Sequence, residues 1–272
     1  MKKFYRIILK KFSIFFVSNL SKFLSFFNLK IIPSHDEKTK YTFEYSKDTR
    51  RFIYKPSKDL FSKLIIDTSH FVSDLCIDGA YYRTNKSAFN NFGHRSGYTP
   101  YYDIIFRHLK NEKINFAEIG IENNASTKMW RKYFSKAKIY GLEYDEIKIK
   151  NAKKNNLKDT IYKKIDVADQ ENIKKTFSKI NKKFDVIIDD STHILDHQIN
   201  IIKNVHPFLK KNGILIIEDI YKYRHNYSEK IYYQNLNKLK KNFRNIYFVE
   251  FHNINNFTAS WKNEKLLILI KK

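Results

Sequence analysis

From residue 116 onward, short apolar runs alternate with segments whose apolar residues recur at helical spacing. Continuous apolar runs are typical of strands that are covered on both faces. A regular succession of strand and helix predicts an α/β fold with a parallel, doubly wound sheet. The predicted strands lie at 116–121, 138–143, 161–165, 184–189 and 214–218, and the predicted helices at 126–134, 146–156, 171–182 and 195–210.

The C-terminal end breaks this succession. Residues 246–251 and 266–270 have strand patterns, but the loop between them is too short to contain a crossover helix. An antiparallel hairpin at the edge of the sheet is therefore predicted.

Residues 1–32 combine basic and aromatic positions at helical spacing. In helical projection, Lys3, Arg6 and Lys10 share one side with small polar residues, and most Phe and Ile residues take the other. The longest uncharged stretch, residues 12–21, is far shorter than the roughly 20 residues that span a bilayer, and no signal-peptide cleavage site follows it. Two interpretations stay open: an amphipathic helix in the plane of an anionic membrane surface, or a helix packed on the main domain.

The segments between residue 33 and the regular alternation are harder to interpret. Residues 33–81 are polar with scattered aromatic residues, which predicts a linker or accessory segment containing one short hairpin. Residues 82–106 are rich in Gly, His and Tyr and lead into a helix expected to begin near Thr99 and Pro100. That segment either caps a pocket or forms an ordinary surface connection. The expected organisation is a basic N-terminal helix (1–32), an accessory segment (33–81) and the main domain (82–272).

Composition narrows the class of protein. The 272 residues are 42% hydrophobic and 16% aromatic, enough for a substantial core. The formal charge is +24, from 52 Lys and Arg against 28 Asp and Glu. Such a charge suits nucleic acid, an anionic membrane or an acidic glycan, but it also fits a compositional bias spread over the whole chain. The single cysteine, Cys76, excludes an internal disulfide and a cysteine-based zinc cluster, so a cytoplasmic setting, with peripheral attachment to the inner face of the membrane as an option, is expected.

Acidic residues stand at the carboxyl ends of four successive predicted strands. They are Glu143, Asp166, the pair Asp189 and Asp190, and the pair Glu218 and Asp219. In open α/β sheets, ligands bind beyond the carboxyl ends of the strands. These acids therefore predict a metal or cofactor site, whereas Asp145 and Asp169, each just before a predicted helix, are interpreted as helix caps.

The first predicted strand and the turn after it carry Glu118, Gly120, Asn123 and Asn124. A nucleotide-type cofactor needs a sharp turn here, with small residues that allow the backbone to approach closely. The dinucleotide fingerprint G-x-G-x-x-G is absent, which argues against a nicotinamide enzyme. Asparagine tolerates left-handed backbone conformations and can replace glycines in such a turn.

Four motifs together resemble those of class I S-adenosylmethionine-dependent methyltransferases. They are EIGIENNASTKMW (118–130), IYGLEYDE (139–146), FDVIIDDSTHILDHQ (184–198) and LKKNGILIIEDI (209–220). The likeness is greater to the magnesium-dependent sugar O-methyltransferases of the macrocin and mycinamicin type, and it extends over about residues 85–218. Each motif is weak alone, and their combination is specific.

The resemblance implies a Rossmann-like, seven-stranded sheet with its last strand reversed, and S-adenosylmethionine and Mg²⁺ as cofactors. It implies metal ligation by Asp190, Glu218 and Asp219, with His193 as general base. Glu143 would bind the cofactor ribose, and the full set of expected cofactor-binding residues is Glu118, Gly120, Glu143, Asp166 and Asp189. The sequence departs from the family pattern at Asn123 and Asn124, where glycines are usual, and at Thr192, where serine is usual.

The chemistry of these residues fits that expectation. Mg²⁺ prefers a few carboxylate oxygens and leaves positions for water or substrate. A metal lowers the pKa of a hydroxyl group so that a neutral imidazole can remove its proton. His193, three residues after Asp190, is close enough in sequence for that role, and His197 is the weaker candidate.

The resemblance implies methyl transfer to a sugar hydroxyl of a glycan, a glycolipid or a glycosylated metabolite, with glycan assembly as one setting. One alternative is a nucleic-acid methyltransferase, but the lysines are dispersed and the Asp/Asn-Pro-Pro-aromatic turn of base amine methylation is absent at 189–192. The other is a degenerate domain retained for binding, which a test of cofactor binding would distinguish. The acceptor itself and the oligomeric state, with a homo-oligomer as one option, stay open.

Overall fold

The computed structural model describes residues 52–55, 61–68, 71–90, 96–221, 227–252 and 265–272, with four short pieces at 15–16, 19–20, 23–24 and 26–27. The strands are β1 (Phe52–Lys55), β2 (Phe61–Asp67), β3 (Asn115–Ile119), β4 (Lys138–Glu143), β5 (Thr160–Lys164), β6 (Phe184–Asp189), β7 (Leu209–Ile220), β8 (Phe243–His252) and β9 (Lys265–Lys271). The helices are α1 (Asp74–Tyr81), α2 (Thr99–Phe106), α3 (Ala125–Tyr133), α4 (Glu146–Lys153), α5 (Gln170–Ile180), α6 (Leu195–Val205) and α7 (Glu229–Leu236).

All nine strands belong to one sheet, in the order β1-β2-β8-β9-β7-β6-β3-β4-β5. Strands β7, β6, β3, β4 and β5 pair in parallel, and β9 runs antiparallel to both of its neighbours, β7 and β8. The mostly parallel sheet with a reversed last strand is confirmed. Two details differ from the prediction: β1 and β2 extend the seven expected strands to nine, and the β8–β9 hairpin is inside the sheet because β2 pairs with β8.

Helices cover both faces of the sheet, and alternate residues of each strand serve the two sides. In β6, Ile187 packs in the core that contains α5, α6 and α7, whereas Val186 and Ile188 pack in the core that contains α1, α2 and α3. This alternation follows from the two-residue period of a strand. It also explains why the strands have continuous apolar sequences, since neither face is open to water.

Strands β1 and β2 and helix α1, all before position 82, belong to the same sheet and helical layer. Strand β2 pairs in parallel with β8, and α1 contributes Leu75 to the core beside α2 and α3. The antiparallel pair β1–β2 lies in the segment where one hairpin was expected. The strand β2 and helix α1 are not a linker, so the folded unit begins before residue 82.

All four predicted helices end earlier than expected, and two of them do so for clear local reasons. Helix α6 ends at Val205, because Pro207 follows and the chain continues as a short 3-10 turn. Helix α5 ends at Ile180, where Asn181 adopts a left-handed conformation with φ of 52°. At their starts, Asp145 and Asp169 accept backbone hydrogen bonds, which confirms both as caps.

Most of the predicted N-terminal helix lies outside the described residues. Within the four short pieces, Phe15, Phe16, Phe23, Phe26 and Phe27 are all exposed, with Phe26 at 90%. Within the part of the chain that the structure describes, no helix has the length and apolar character needed to cross a membrane.

Candidate active site

The strand register brings the predicted acids to one edge of the sheet. Asp189 at the end of β6 lies between Ile119 of β3 and Ile217 of β7. Asp190, just after β6, and Glu218, within β7, are therefore neighbours at this edge. The structure places Asp190, Glu218 and Asp219 together as an acid cluster, as the sequence predicts.

Gly120 lies where β3 meets the turn after β6. Its φ is +86°, and a Cβ atom there would lie 2.2 Å from the carbonyl oxygen of Asp190. No side chain fits this space, and the backbone conformation itself favours glycine. Gly120 thus permits the close approach of two strand ends that the edge requires.

A buried lysine side chain lies within the acid cluster and binds its carboxylates. The side chain of Lys86 is only 1% exposed, and its Nζ donates hydrogen bonds to Asp190 Oδ2 and, over 2.6 Å, to Glu218 Oε2. Glu118 Oε1 is 3.7 Å from the same nitrogen. A buried charge is tolerated when it is paired in this way.

Two tyrosines, one just before α2 and one within it, bind further carboxylate oxygens of the acid cluster. The Tyr102 hydroxyl donates to Glu218 Oε1 over 2.6 Å, and the Tyr98 hydroxyl donates to Asp219 Oδ1 over 2.5 Å. We refer to Lys86, Tyr98 and Tyr102 as the anchoring triad. Both oxygens of Glu218 are engaged by this triad, which was not expected for a metal ligand.

His193 faces the other oxygens of the cluster. Its Nε2 is 3.9 Å from Asp190 Oδ1 and 3.7 Å from Asp219 Oδ2. Asp190, His193 and Asp219 each bring one candidate ligand atom within 4.8 Å of the others, as a bound metal would require. His193 and Asp219 both have positive φ, 56° and 55°, a conformation that is costly for such residues and concentrates at functional sites.

Burial dominates the electrostatics of the cluster. It raises the pKa of Glu218 well above its ordinary value, against the opposing charge of Lys86, and it raises the pKa of Asp219 as well. Burial alone would lower the pKa of Lys86, but the charges of Asp190, Glu218 and Glu118 raise it. Burial thus disfavours the charged form of these carboxylates, and a nearby cation offsets that cost.

A cavity of about 550 Å³ opens beside the acid cluster, at the same strand ends. Its walls include three of the predicted cofactor residues, Gly120, Glu143 and Asp166, and one acid of the cluster, Asp190. The volume is typical of a pocket for a small ligand. The cavity and the acid cluster thus meet at Asp190.

Glu143, at the rim of this cavity, is surrounded by backbone amides. Its Oε2 accepts hydrogen bonds from the amides of Ile121 and Glu122, at 3.1 and 3.2 Å. Its Oε1 accepts from those of Tyr144 and Asp145, at 2.9 and 3.1 Å. The carboxylate therefore joins the turn after β3 to the turn after β4.

Asparagine replaces glycine in the turn after β3. Asn124 is buried and adopts a left-handed conformation with φ of 67°, and Tyr162 donates a hydrogen bond to its Oδ1 over 3.0 Å. Asn123 Oδ1 accepts from the amide of Ala125 over 3.1 Å. The interpretation that asparagine can take the place of a turn glycine is confirmed at Asn124.

Comparison with known proteins agrees with this geometry. A family model described as a methyltransferase domain matches residues 122–269, more than half of the chain. The chain belongs to the methyltransferase domain family. The resemblance found in the four motifs and the predicted Rossmann-like architecture are both confirmed.

Several curated relatives are named as sugar O-methyltransferases. The chain is 27% identical over 144 residues to 8-demethyl-8-(2-methoxy-alpha-L-rhamnosyl)-tetracenomycin-C 3'-O-methyltransferase of Streptomyces olivaceus, covering 50% of this chain and 35% of that protein. It is 27% identical over 146 residues to mycinamicin VI 2''-O-methyltransferase of Micromonospora griseorubida, covering 48% of this chain and 33% of that protein. The matches thus span about a third of the length of these relatives.

A solved structure, the methyltransferase MycE from the mycinamycin biosynthetic pathway in complex with Mg and SAH, has the same fold. It aligns with a TM-score of 0.53 and 20% identity, covering 73% of this chain and 54% of MycE. At this identity the likeness concerns the fold of the methyltransferase domain.

Two predicted cofactor residues of the methyltransferase domain lie away from the cavity wall. Glu118 is fully buried and accepts hydrogen bonds from Ser126, Thr127 and Trp130, at 2.8 to 3.1 Å. Asp189 is 1% exposed and accepts from Ser191 Oγ over 2.6 Å, and burial raises its pKa to about 6. Both carboxylates point into the protein. There they form hydrogen bonds with neighbouring side chains behind the site.

Sequence reasoning missed the anchoring triad. Its signals were present: Lys86 is the single Lys, Arg, Asp or Glu between Arg83 and Arg95, and Tyr98 and Tyr102 have the i, i+4 spacing that places two side chains on one helix face. What the sequence did not reveal is that Lys86 and the described residues 96–102 lie against the strand ends. Lys86, Tyr98 and Tyr102 cover the acid cluster, and no described residue of this segment lines the cavity.

Proposed function

We propose that this chain is an S-adenosylmethionine-dependent O-methyltransferase that acts on a sugar hydroxyl of a glycosylated compound with the help of Mg²⁺. The observation that carries the proposal is the position of Asp190, which lines the cavity and also faces His193 in the acid cluster. A methyl donor in the cavity and a hydroxyl at the cluster would therefore be neighbours. The names of the relatives, which describe methyl transfer to sugar oxygens, support the choice of acceptor.

The cavity suits the cofactor in shape and chemistry. Gly120 lines the cavity, and Glu143 and Asp166 stand at the ends of β4 and β5, where ribose hydroxyls and an amine find acceptors. These residues would hold S-adenosylmethionine. The complexes of MycE with SAH support S-adenosylmethionine as the cofactor.

The two carboxylate oxygens that face His193 suit a magnesium ion. Asp190 Oδ1 and Asp219 Oδ2 would hold it, since Mg²⁺ takes one or two carboxylates and keeps the other positions for water and substrate. Imidazole is a ligand that Zn²⁺, Cu²⁺ and Fe²⁺ prefer, so we assign His193 to proton transfer. When bound, S-adenosylmethionine supplies the methyl group and Mg²⁺ lowers the pKa of the acceptor hydroxyl.

The residues of the chain then orient the acceptor and take its proton. Asp190 and Asp219 fix the reacting edge, and Nε2 of His193, which faces both, accepts the hydroxyl proton. For that, Nδ1 must carry the other ring proton. This nitrogen is buried and has no hydrogen-bond partner in the described part of the chain.

The test is methyl transfer from S-adenosylmethionine to a panel of rhamnosides and other glycosides, followed by mass spectrometry. We expect S-adenosylhomocysteine and methylated sugar in equal amounts, a loss of both in EDTA, and recovery with Mg²⁺. Full activity in EDTA would contradict the metal, and methylation of RNA instead of glycosides would support the nucleic-acid alternative. A chain that fails to bind S-adenosylmethionine would be a binding domain without this activity.

We also propose that residues 1–32 attach the enzyme to an anionic membrane surface. The described phenylalanines there are exposed, and each nearby Lys or Arg adds about 1 kcal/mol of attraction to such a surface. The full chain should sediment with anionic liposomes at low salt, and replacing Phe23, Phe26 and Phe27 by Ser should weaken sedimentation without changing Tm. A full chain that stays in the supernatant would contradict this attachment.

A further inference from the structure

The anchoring triad divides the oxygens of the acid cluster into an inner and an outer set. The inner set is bound by the triad: Asp190 Oδ2 by Lys86, Asp219 Oδ1 by Tyr98, and both oxygens of Glu218 by Lys86 and Tyr102. The outer set is Asp190 Oδ1 and Asp219 Oδ2, which face His193 at 3.9 and 3.7 Å. Each aspartate thus has one oxygen that is bound by the anchoring triad and one that faces His193.

We propose that Lys86, Tyr98 and Tyr102 are positioning residues that direct these two outer oxygens toward the metal, and that Glu218 is not a metal ligand but the buried counter-ion of Lys86. The inference rests on the proposed function, because it takes a divalent ion to bind at the outer oxygens. It departs from the ligand set that the family resemblance implies, in which Glu218 joins both aspartates.

Burial and hydrogen bonding favour this division. Lys86 and Glu218 are each 1% exposed, and a buried ammonium and carboxylate at 2.6 Å are costly to separate. For Glu218 to reach a metal at the outer oxygens, it would have to leave both Lys86 and Tyr102, and the lysine would lose one of its partners. Asp190 and Asp219 need no such rearrangement, since their outer oxygens already face forward.

The division also limits the charge at the metal. With Lys86 bound to Glu218 and to the inner oxygen of Asp190, one positive charge offsets part of the negative charge of the cluster. Removal of the lysine would release Glu218 and the inner oxygen of Asp190 as additional ligands, and affinity for hard divalent cations rises with the number of charged ligands. A neutral residue at position 86 should therefore tighten metal binding while it destabilises the fold.

The experiment measures binding of Mn²⁺ alone to the full chain by electron paramagnetic resonance, because Mn²⁺ shares the preference of Mg²⁺ for oxygen ligands. We expect Asp219→Asn to weaken binding at least tenfold, Glu218→Gln to change it less than threefold, and Lys86→Met to tighten it. Tyr98→Phe should weaken binding several-fold, whereas its neighbour Tyr101→Phe, whose hydroxyl does not contact the cluster, should not. Weakening by Glu218→Gln as large as that by Asp219→Asn would overturn the inference.

Thermal unfolding gives a second readout that does not depend on the metal. Lys86→Met should lower Tm by roughly 5 °C or more, because it leaves Glu218 buried and unpaired. The double variant Lys86→Met/Glu218→Gln should recover at least half of that loss. If the wild-type chain binds no Mn²⁺, the metal of the proposed function is refuted, and the inferred ligand set is refuted with it. An unchanged Tm in Lys86→Met would refute the pairing itself.

Discussion

At one edge of the sheet, the carboxylate of Glu143 and the carboxylates of the acid cluster are bound by different kinds of hydrogen-bond donor. Glu143 is bound by four backbone amides, all within the turns after β3 and β4. Asp190, Glu218 and Asp219 are bound by the side chains of Lys86, Tyr98 and Tyr102, about a hundred residues or more away in sequence.

This difference has functional consequences. Backbone amides that come from local turns form a rim whose shape is determined by the strands themselves, which suits a cofactor pocket. Side chains from a distant segment can be replaced one by one without altering the strands. Under the proposed function, acceptor and metal preference can therefore be adjusted at the acid cluster while the turns around Glu143 stay constant.

The largest effect on activity is expected from a change at His193, which faces the acid cluster. His193→Gln should lower kcat by roughly 10² to 10⁴ if Nε2 accepts the hydroxyl proton, because Gln cannot act as a base. The dissociation constant of S-adenosylhomocysteine should change less than threefold. His108→Gln, at an exposed histidine in the 3-10 turn after α2, is the control. An unchanged kcat in the His193 variant would assign the proton transfer to another group.

Asp189 offers a test of burial at the strand ends. Its pKa is raised to about 6 by burial, so the folded state binds a proton more tightly than the unfolded state does. The stability from this group is fully present below about pH 4 and is lost as the pH rises through 6, at a cost of about 3 kcal/mol. Chemical denaturation from pH 4 to 7.5 should show a smaller decline in Asp189→Asn than in the wild type, and equal declines would contradict the assignment.

The comparison itself is sharpened by a pair of variants with opposite expected effects. Glu143→Gln places an amide group against two backbone donors, so the affinity for S-adenosylhomocysteine should fall about tenfold, as for loss of a hydrogen bond to a charged group. Its affinity for Mn²⁺ should stay within threefold. Asp219→Asn should show the reverse pattern in the same two titrations. Equal losses of both ligands in either variant would mean that rim and cluster form one unit.

The sequence predicted the parts of the site whose partners are local. Strand β6 was placed at its observed bounds, since its apolar run ends abruptly at Asp189, and the acids followed from the ends of the strands. The left-handed turn at Asn124 followed from the conformational preference of asparagine. These features depend on the residues nearest to them.

The missed features depend on distant contacts. The pairing of β2 with β8 and the contact of Lys86 with Glu218 join residues that are far apart in the chain, and no local pattern specifies such partners. For the same reason, Glu118 and Asp189 were predicted at the cofactor from their positions at strand ends. Their direction into the protein is set by Trp130, Ser191 and the core around them.

The most direct measurement is the location of the metal. Crystals soaked with Mn²⁺ and measured at the manganese absorption edge would give an anomalous peak at the ion. We predict one peak in contact with Asp190 Oδ1 and Asp219 Oδ2, beside His193, with Glu218 still bound to Lys86. A peak that includes Glu218 with Lys86 displaced, or no peak at this edge of the sheet, would contradict the proposed metal site.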